Sequence, residues 1–185
     1  MQMKKQSSVI RKNLLFFSLA FLSLAFLAMP AFSQMTASPE VPPHSVSQSL
    51  VGNWRLIAAD KIMPDGSRVA DYGADPRGIA VLTDDGHYVV EIFRSDRPKF
   101  ASGDRAKGTP EEYKAAVLGV SCHFGTYLVD EENATITFHT ERASYPNFDM
   151  TTRTSSFLLK GDTLTWRVAP RSDGSIPVSV FQRMP

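Results

Sequence analysis

A chain of 185 residues with 20 basic and 19 acidic side chains carries a formal charge of only +1 at pH 7. That length suits one domain plus a removable segment rather than two domains, and the scattered basic residues give no electrostatic case for nucleic acid as a partner. The single cysteine, Cys122, can form no disulfide within the chain, so stability must come from a packed core.

The chain begins with a basic region, Lys4, Lys5, Arg11 and Lys12, followed by an uncharged apolar run from Leu14 to Met29. Ala31-Phe32-Ser33 then places small residues at the two positions a signal peptidase reads. Residues 1–33 therefore predict a signal peptide cleaved before Gln34, with export to the periplasm or the medium. The competing reading is a retained anchor, but the apolar run falls just short of the roughly 17–25 residues a spanning helix needs. No stable membrane insertion is expected once the segment is gone. Cleavage removes four basic residues and no acidic one, taking the formal charge from +1 to −3. Residues 34–49 hold Pro39, Pro42 and Pro43 among Ser, Thr and Gln, a composition with little to bury, and predict a flexible linker in which His44 is solvated.

From Leu50 the pattern is that of strands, and residues 50–185 predict the folded domain. Leu50-Val51-Gly52-Asn53-Trp54-Arg55-Leu56-Ile57 opens the first strand, its glycine permitting a tight turn in, with Trp54, Leu56 and Ala58 sharing one face. Pro64-Asp65-Gly66-Ser67 is a turn that folds the chain back through Arg68 to Tyr72, and residues 73–78 form a loop. Ile79 to Thr83 and His87 to Arg94 flank Asp84-Asp85-Gly86 as a hairpin. The polar stretch Ser95 to Gly108 is a long loop, and Thr109-Pro110-Glu111-Glu112 supplies an N-cap, a proline in the first turn and two acids. With Tyr113, Ala116, Val117 and Val120 at helical spacing, one amphipathic helix is expected from about Pro110 to Ser121. His123 to Val129 with Thr135 to Ser144, and Thr151 to Leu159 with Thr163 to Val168, form two further hairpins, and Pro177 to Arg183 closes the sheet. Eight or nine short strands joined mostly by tight turns, with one short helix, predict a mainly β fold, an up-and-down antiparallel barrel. The last strand then returns beside the first, so that Arg183 lies over the Trp54 ring as a cation–π lid at the closed end.

The Gly52-Asn53-Trp54 start with an arginine near the C-terminus resembles the signature of lipocalins. The agreement is closer with the bacterial and fungal lipocalin-like domain family of about 130 residues. The segments that carry it are Leu50 to Leu56, Asp75-Pro76-Arg77-Gly78, Arg94 to Asp104, Gly108-Thr109-Pro110-Glu111-Glu112, Phe124-Gly125-Thr126-Tyr127 and Tyr145-Pro146-Asn147. Together they span nearly the whole predicted domain in order. The resemblance implies a calycin-type barrel with a central cavity and says little of chemistry, since fold analogy does not fix mechanism. The family usually carries a second histidine directly before the position of His139; here that place is Phe138.

Candidate chemistry centres on the strand Thr135 to Ser144. Alternation puts Thr137, His139 and Glu141 on one face and Ile136, Phe138 and Thr140 on the other. With the polar set inward, the carboxylate orients the imidazole as a proton-shuttling pair; with it outward, both are solvated residues on an apolar-in strand. His123 and Tyr127, four apart on one face, either line the cavity or are exposed while Phe124, Thr126 and Leu128 pack inward. Arg94, Arg97 and Lys99 beside the long loop either grip an anion or pair with Asp96, Asp104 and Glu91. Arg153 either reaches a carboxylate such as Glu141 or points into water. No His-x-His, Cys-x-x-Cys, Gly-x-Ser-x-Gly, P-loop or dinucleotide pattern occurs, so neither metal nor cofactor is expected.

Three functions remain in play. The first is an exported barrel that binds a small hydrophobic or amphipathic molecule. Trp54, Tyr72, Phe93, Tyr127, Phe138 and Trp166 would be its wall; Arg94, His123, His139, Glu141 and Arg153 would be its polar groups, with the loop Ser95 to Gly108 gating access. The second is a cofactor-independent isomerase, cyclase or lyase with His139 as base, Glu141 holding it, and Arg94 or Tyr127 stabilising an anion. The third is a barrel packed solid. An inward His139–Glu141 pair separates the second from the others.

Overall fold

A computed structural model describes residues 45–185. The expected signal peptide 1–33, its expected cleavage before Gln34 and the expected linker as far as His44 lie outside the described residues. Nine strands follow: β1 (Gly52–Ile62), β2 (Arg68–Ala70), β3 (Arg77–Leu82), β4 (His87–Phe93), β5 (Val120–Asp130), β6 (Thr135–Ala143), β7 (Thr152–Lys160), β8 (Thr163–Arg167) and β9 (Ile176–Arg183). Two α-helices accompany them, α1 (Val46–Leu50) and α2 (Pro110–Leu118). No helix among the described residues is long and apolar enough to cross a membrane.

All strand pairs are antiparallel, and β3 to β9 follow one another in sequence order. The ring closes because β1 pairs with β3 through Gly52–Arg55 and with β9 from Trp54 opposite Arg183 to Ile62 opposite Ile176. Eight strands thus form the barrel, as the strand count and turn spacing predict. The short β2 is an addition that pairs only with Asp60–Ile62 of β1.

Inward positions obey the period of two, with two informative exceptions. In β1 the register against β9 shifts between Leu56 and Ala58, so Ile57 bulges outward, 52% exposed, and Ala59 replaces Ala58 on the core face. In β6 the register against β5 shifts where Gly125 faces Thr140 and Phe124 faces Arg142, leaving Glu141 as the extra residue. Gly125 is what permits it: a Cβ there would sit 2.1 Å from the His139 carbonyl oxygen. Gly52 is likewise required where the chain enters β1, at φ +138°.

Two expectations need correction. The helix stops at Leu118 because Gly119 caps it, donating its N–H to the Ala115 and Val117 carbonyls, and Val120 starts β5 instead. No residue of α2 is buried; Val117 and Leu118 are 54% and 65% exposed, so the predicted apolar face does not dock on the barrel. Tyr113 instead packs edge-on to Phe100, 5.4 Å between ring centres, and Glu112 accepts from the Ala101 N–H at 2.7 Å, tying the helix to the long loop. Residues 45–49, read as linker, belong to a capped helical turn. Ser45 and Gln48 form a reciprocal capping box, Ser47 binds Glu131 at the β5–β6 turn, and Leu50 is fully buried. The Ser45 and Gln48 side chains, read as part of a flexible linker, are the capping groups.

Candidate functional site

The barrel has a sealed end and an open end. At the sealed end Trp54 is completely buried and its indole N–H donates to the Leu50 carbonyl at 2.9 Å. The Arg183 guanidinium lies 4.1 Å over the indole ring. It also donates to the Val51 carbonyl at 3.0 Å and to the Ser49 carbonyl, and its Nε is 3.3 Å from the Asp162 carboxylate. The lid expected of this pair is present.

Toward the other end the inward side chains stop meeting and leave a cavity of about 360 Å³. Its walls combine Phe138 and Trp166, Val90, Ile92 and Val178 with a few polar groups: Tyr72, Ser121, His123, Arg153, Ser155 and Ser179. The rim is formed by Asp60 at the end of β1, by Asp71, by Phe148 in the β6–β7 connection and by residues 168–171 after β8.

A polar chain runs along one wall. Tyr88, on the inward face of β4 with Val90 and Ile92, places its hydroxyl 3.0 Å from Thr140 Oγ1 and 3.1 Å from His123 Nδ1. Burial first, and then the neighbouring Arg153 charge, push the His123 pKa down to about 3, so its imidazole is neutral at pH 7. Burial likewise raises the Tyr88 and Tyr72 phenols and lowers Arg153 from its ordinary value. The Arg153 side chain stacks 4.0 Å over the Phe148 ring, and its Nε is buried without a hydrogen-bond partner. The Tyr88 hydroxyl is the neighbour that favours the cation, and no carboxylate contributes. At the rim Asp71 receives both terminal nitrogens of Arg171, at 3.1 and 2.6 Å.

Of the residues named from sequence, Tyr72, His123, Arg153, Phe138 and Trp166 are brought together on the cavity wall. The others are elsewhere. Tyr127 is inward-facing but belongs to the sealed half, where its hydroxyl donates to the Thr83 carbonyl at 2.9 Å. Arg94 grips Asp96 at 2.9 and 3.0 Å and the Asp71 carbonyl at 2.9 Å, so the pairing alternative holds rather than anion capture. Phe93 is not a wall residue; Arg97 lies 5.2 Å over its ring. Trp54 is core, and no residue of the loop 95–108 borders the cavity.

The proposed catalytic pair is overturned. Ile136, Phe138 and Thr140 take the inward face of β6, so His139 is exposed, its Nδ1 3.0 Å from Thr152 Oγ1. Glu141 is exposed at the bulge, and no hydrogen bond joins it to His139 among the described residues. Arg153 does not meet Glu141 either, because it points inward while Glu141 faces solvent. The reading from sequence missed Tyr88, Thr140 and Ser155, although each follows from extending the inward alternation of its strand. The Asp71–Arg171 pair, separated by 100 residues, left no local signal. Among the described residues no cluster of three or more His, Cys, Asp or Glu could hold a metal ion.

No curated protein matches the chain. A crystal structure of a lipocalin-like protein from Bacteroides uniformis ATCC 8492 is similar at 16% identity, covering 73% of this chain and 98% of that one, with a TM-score of 0.39. The sequence profile described as the lipocalin-like domain matches residues 51–183, which run from the turn before Trp54 to the arginine that covers it. With that span holding the whole barrel, the chain belongs to the lipocalin-like domain family.

Proposed function

We propose that this protein is exported and holds a small, mostly apolar molecule inside its barrel. The observation that carries the reading is the cavity of about 360 Å³ at the open end, walled by Phe138, Trp166 and aliphatic side chains with a few convergent polar groups. Ligand sites run from about 300 to 1,000 Å³ with this mixture of an apolar wall and sparse polar fixing points. The third possibility, a barrel packed solid, has no support in such a space. Catalysis by His139 and Glu141 has none either, since both face solvent.

Export rests on the basic and apolar pattern of residues 1–33. Native mass spectrometry of the protein isolated from its own host tests both parts. The expected spectrum shows a chain starting at Gln34 that carries an adduct of one discrete mass. A chain retaining its leader overturns export. A bare chain that also gains no adduct when decanol is added overturns ligand binding.

A further inference from the structure

The cavity carries a charge that the protein itself does not balance. Four ionised side chains border it. Asp60 is held by Arg68 at 2.6 Å, and Asp71 is held by Arg171 at 3.1 and 2.6 Å. Arg153 is the fourth: among the described residues it meets no carboxylate, the uncharged Tyr88 hydroxyl is the neighbour that favours its charge, and its Nε is buried without a hydrogen-bond partner. His123, the remaining titratable base of the wall, is neutral. A guanidinium partly withdrawn from water without a counter-ion carries a desolvation cost that an arriving anion would offset.

We propose that the molecule held here is an amphipathic carboxylate, its head group received by Arg153 and its apolar body laid along Phe138 and Trp166. The inference rests on the ligand-binding reading and narrows it to a chemical class. Several features fit. Stacking on Phe148 fixes the plane of the guanidinium, and a fixed fork suits two carboxylate oxygens. Its Nε is sealed off, whereas the terminal nitrogens are not among the buried orphans and remain the usable donors. One unbalanced cation matches a monoanion and leaves a dianionic phosphate in excess.

The polar chain adds a second donor. A hydroxyl sequence running from Thr140 to Tyr88 to His123 Nδ1 leaves the proton of the neutral imidazole on Nε2, which makes no hydrogen bond among the described residues. An anion selects this order over the reverse, because only then does Nε2 carry a proton to donate.

The test follows Trp166 emission during titration with three probes of equal chain length: decanoate, decanol and decylammonium. At pH 7.5 decanoate is expected to bind about tenfold or more tighter than decanol, as a charge-assisted hydrogen bond warrants. Decylammonium should bind weakest. In Arg153→Met the preference for decanoate should fall below about threefold while decanol affinity stays within about threefold of the parent's. Arg153→Lys should keep part of it, and Arg153→Gln replaces the methionine variant if that one lacks the parent's circular dichroism. Equal affinity for decanoate and decanol in the parent, or a preference that survives both Arg153→Met and Arg153→Gln, overturns the carboxylate assignment and leaves ligand binding intact. Failure of all three probes to bind overturns both.

Discussion

Each end of the barrel sets an arginine over an aromatic ring, and the two pairs differ in everything else. Arg183 lies 4.1 Å over Trp54 and has acceptors for its nitrogens: the Val51 and Ser49 carbonyls and the Asp162 carboxylate. Arg153 lies 4.0 Å over Phe148 with its Nε buried and unpaired and with no carboxylate beside it among the described residues. An arginine over an aromatic ring therefore plugs the barrel at one end and lines a cavity at the other. A satisfied polar group rigidifies its surroundings, and an unsatisfied one costs stability.

The comparison breaks first at Trp54. Trp54→Ala empties the centre of the sealed end and should cost about 3–5 kcal/mol, read from the urea unfolding midpoint. A loss below about 1 kcal/mol would show that the plug is not where stability resides. Next comes acid. His123 has a folded pKa of about 3 against an ordinary value of 6.5, so the unfolded chain takes up the proton first. Stability tied to this group is full above pH 6.5 and is lost as pH falls toward 3, by up to about 1.4 kcal/mol per pH unit. Unfolding curves at pH 7 and 4.5 should therefore separate the parent by about 2 kcal/mol more than they separate His123→Phe. Equal separation would place His123 in water.

Smaller effects sharpen the contrast. Arg183→Met leaves two carbonyls without their donor and should cost about 2 kcal/mol in the same assay. Arg153→Met should do the opposite and raise the unfolding midpoint of the ligand-free protein, because it removes a charge that nothing balances. A lower midpoint would mean that Arg153 is structural. On the outer face, His139→Ala and Glu141→Gln should each stay within about 0.5 kcal/mol and leave decanol binding unchanged.

What the sequence made legible follows from which signals are local. Turn chemistry at Asp84-Asp85-Gly86 and alternation along β4 and β7 specified strands and their order, and Gly52-Asn53-Trp54 with Arg183 specified how the ring closes. The bulges were invisible, because a register shift depends on the neighbouring strand; Ala58 and Ala59 exchanged roles for that reason. Alternation named both faces of β6 and could not say which was inside. The apolar set of Ile136 and Phe138 decided it once the barrel closed around them. His123 and Arg153 were legible as polar residues on strands, yet the hydroxyl chain through Tyr88 and Thr140 and the missing counter-ion emerge only when β4, β5, β6 and β7 lie side by side.

The two tryptophans, one at each end, give the most direct test. Protein labelled with 5-fluorotryptophan shows two fluorine resonances, assigned through Trp166→Phe, and decanol is titrated in. The account requires the Trp166 signal to move and saturate while that of Trp54, fully buried beneath Arg183, stays in place. Movement of Trp54 alone, or of neither, contradicts a ligand site at the open end.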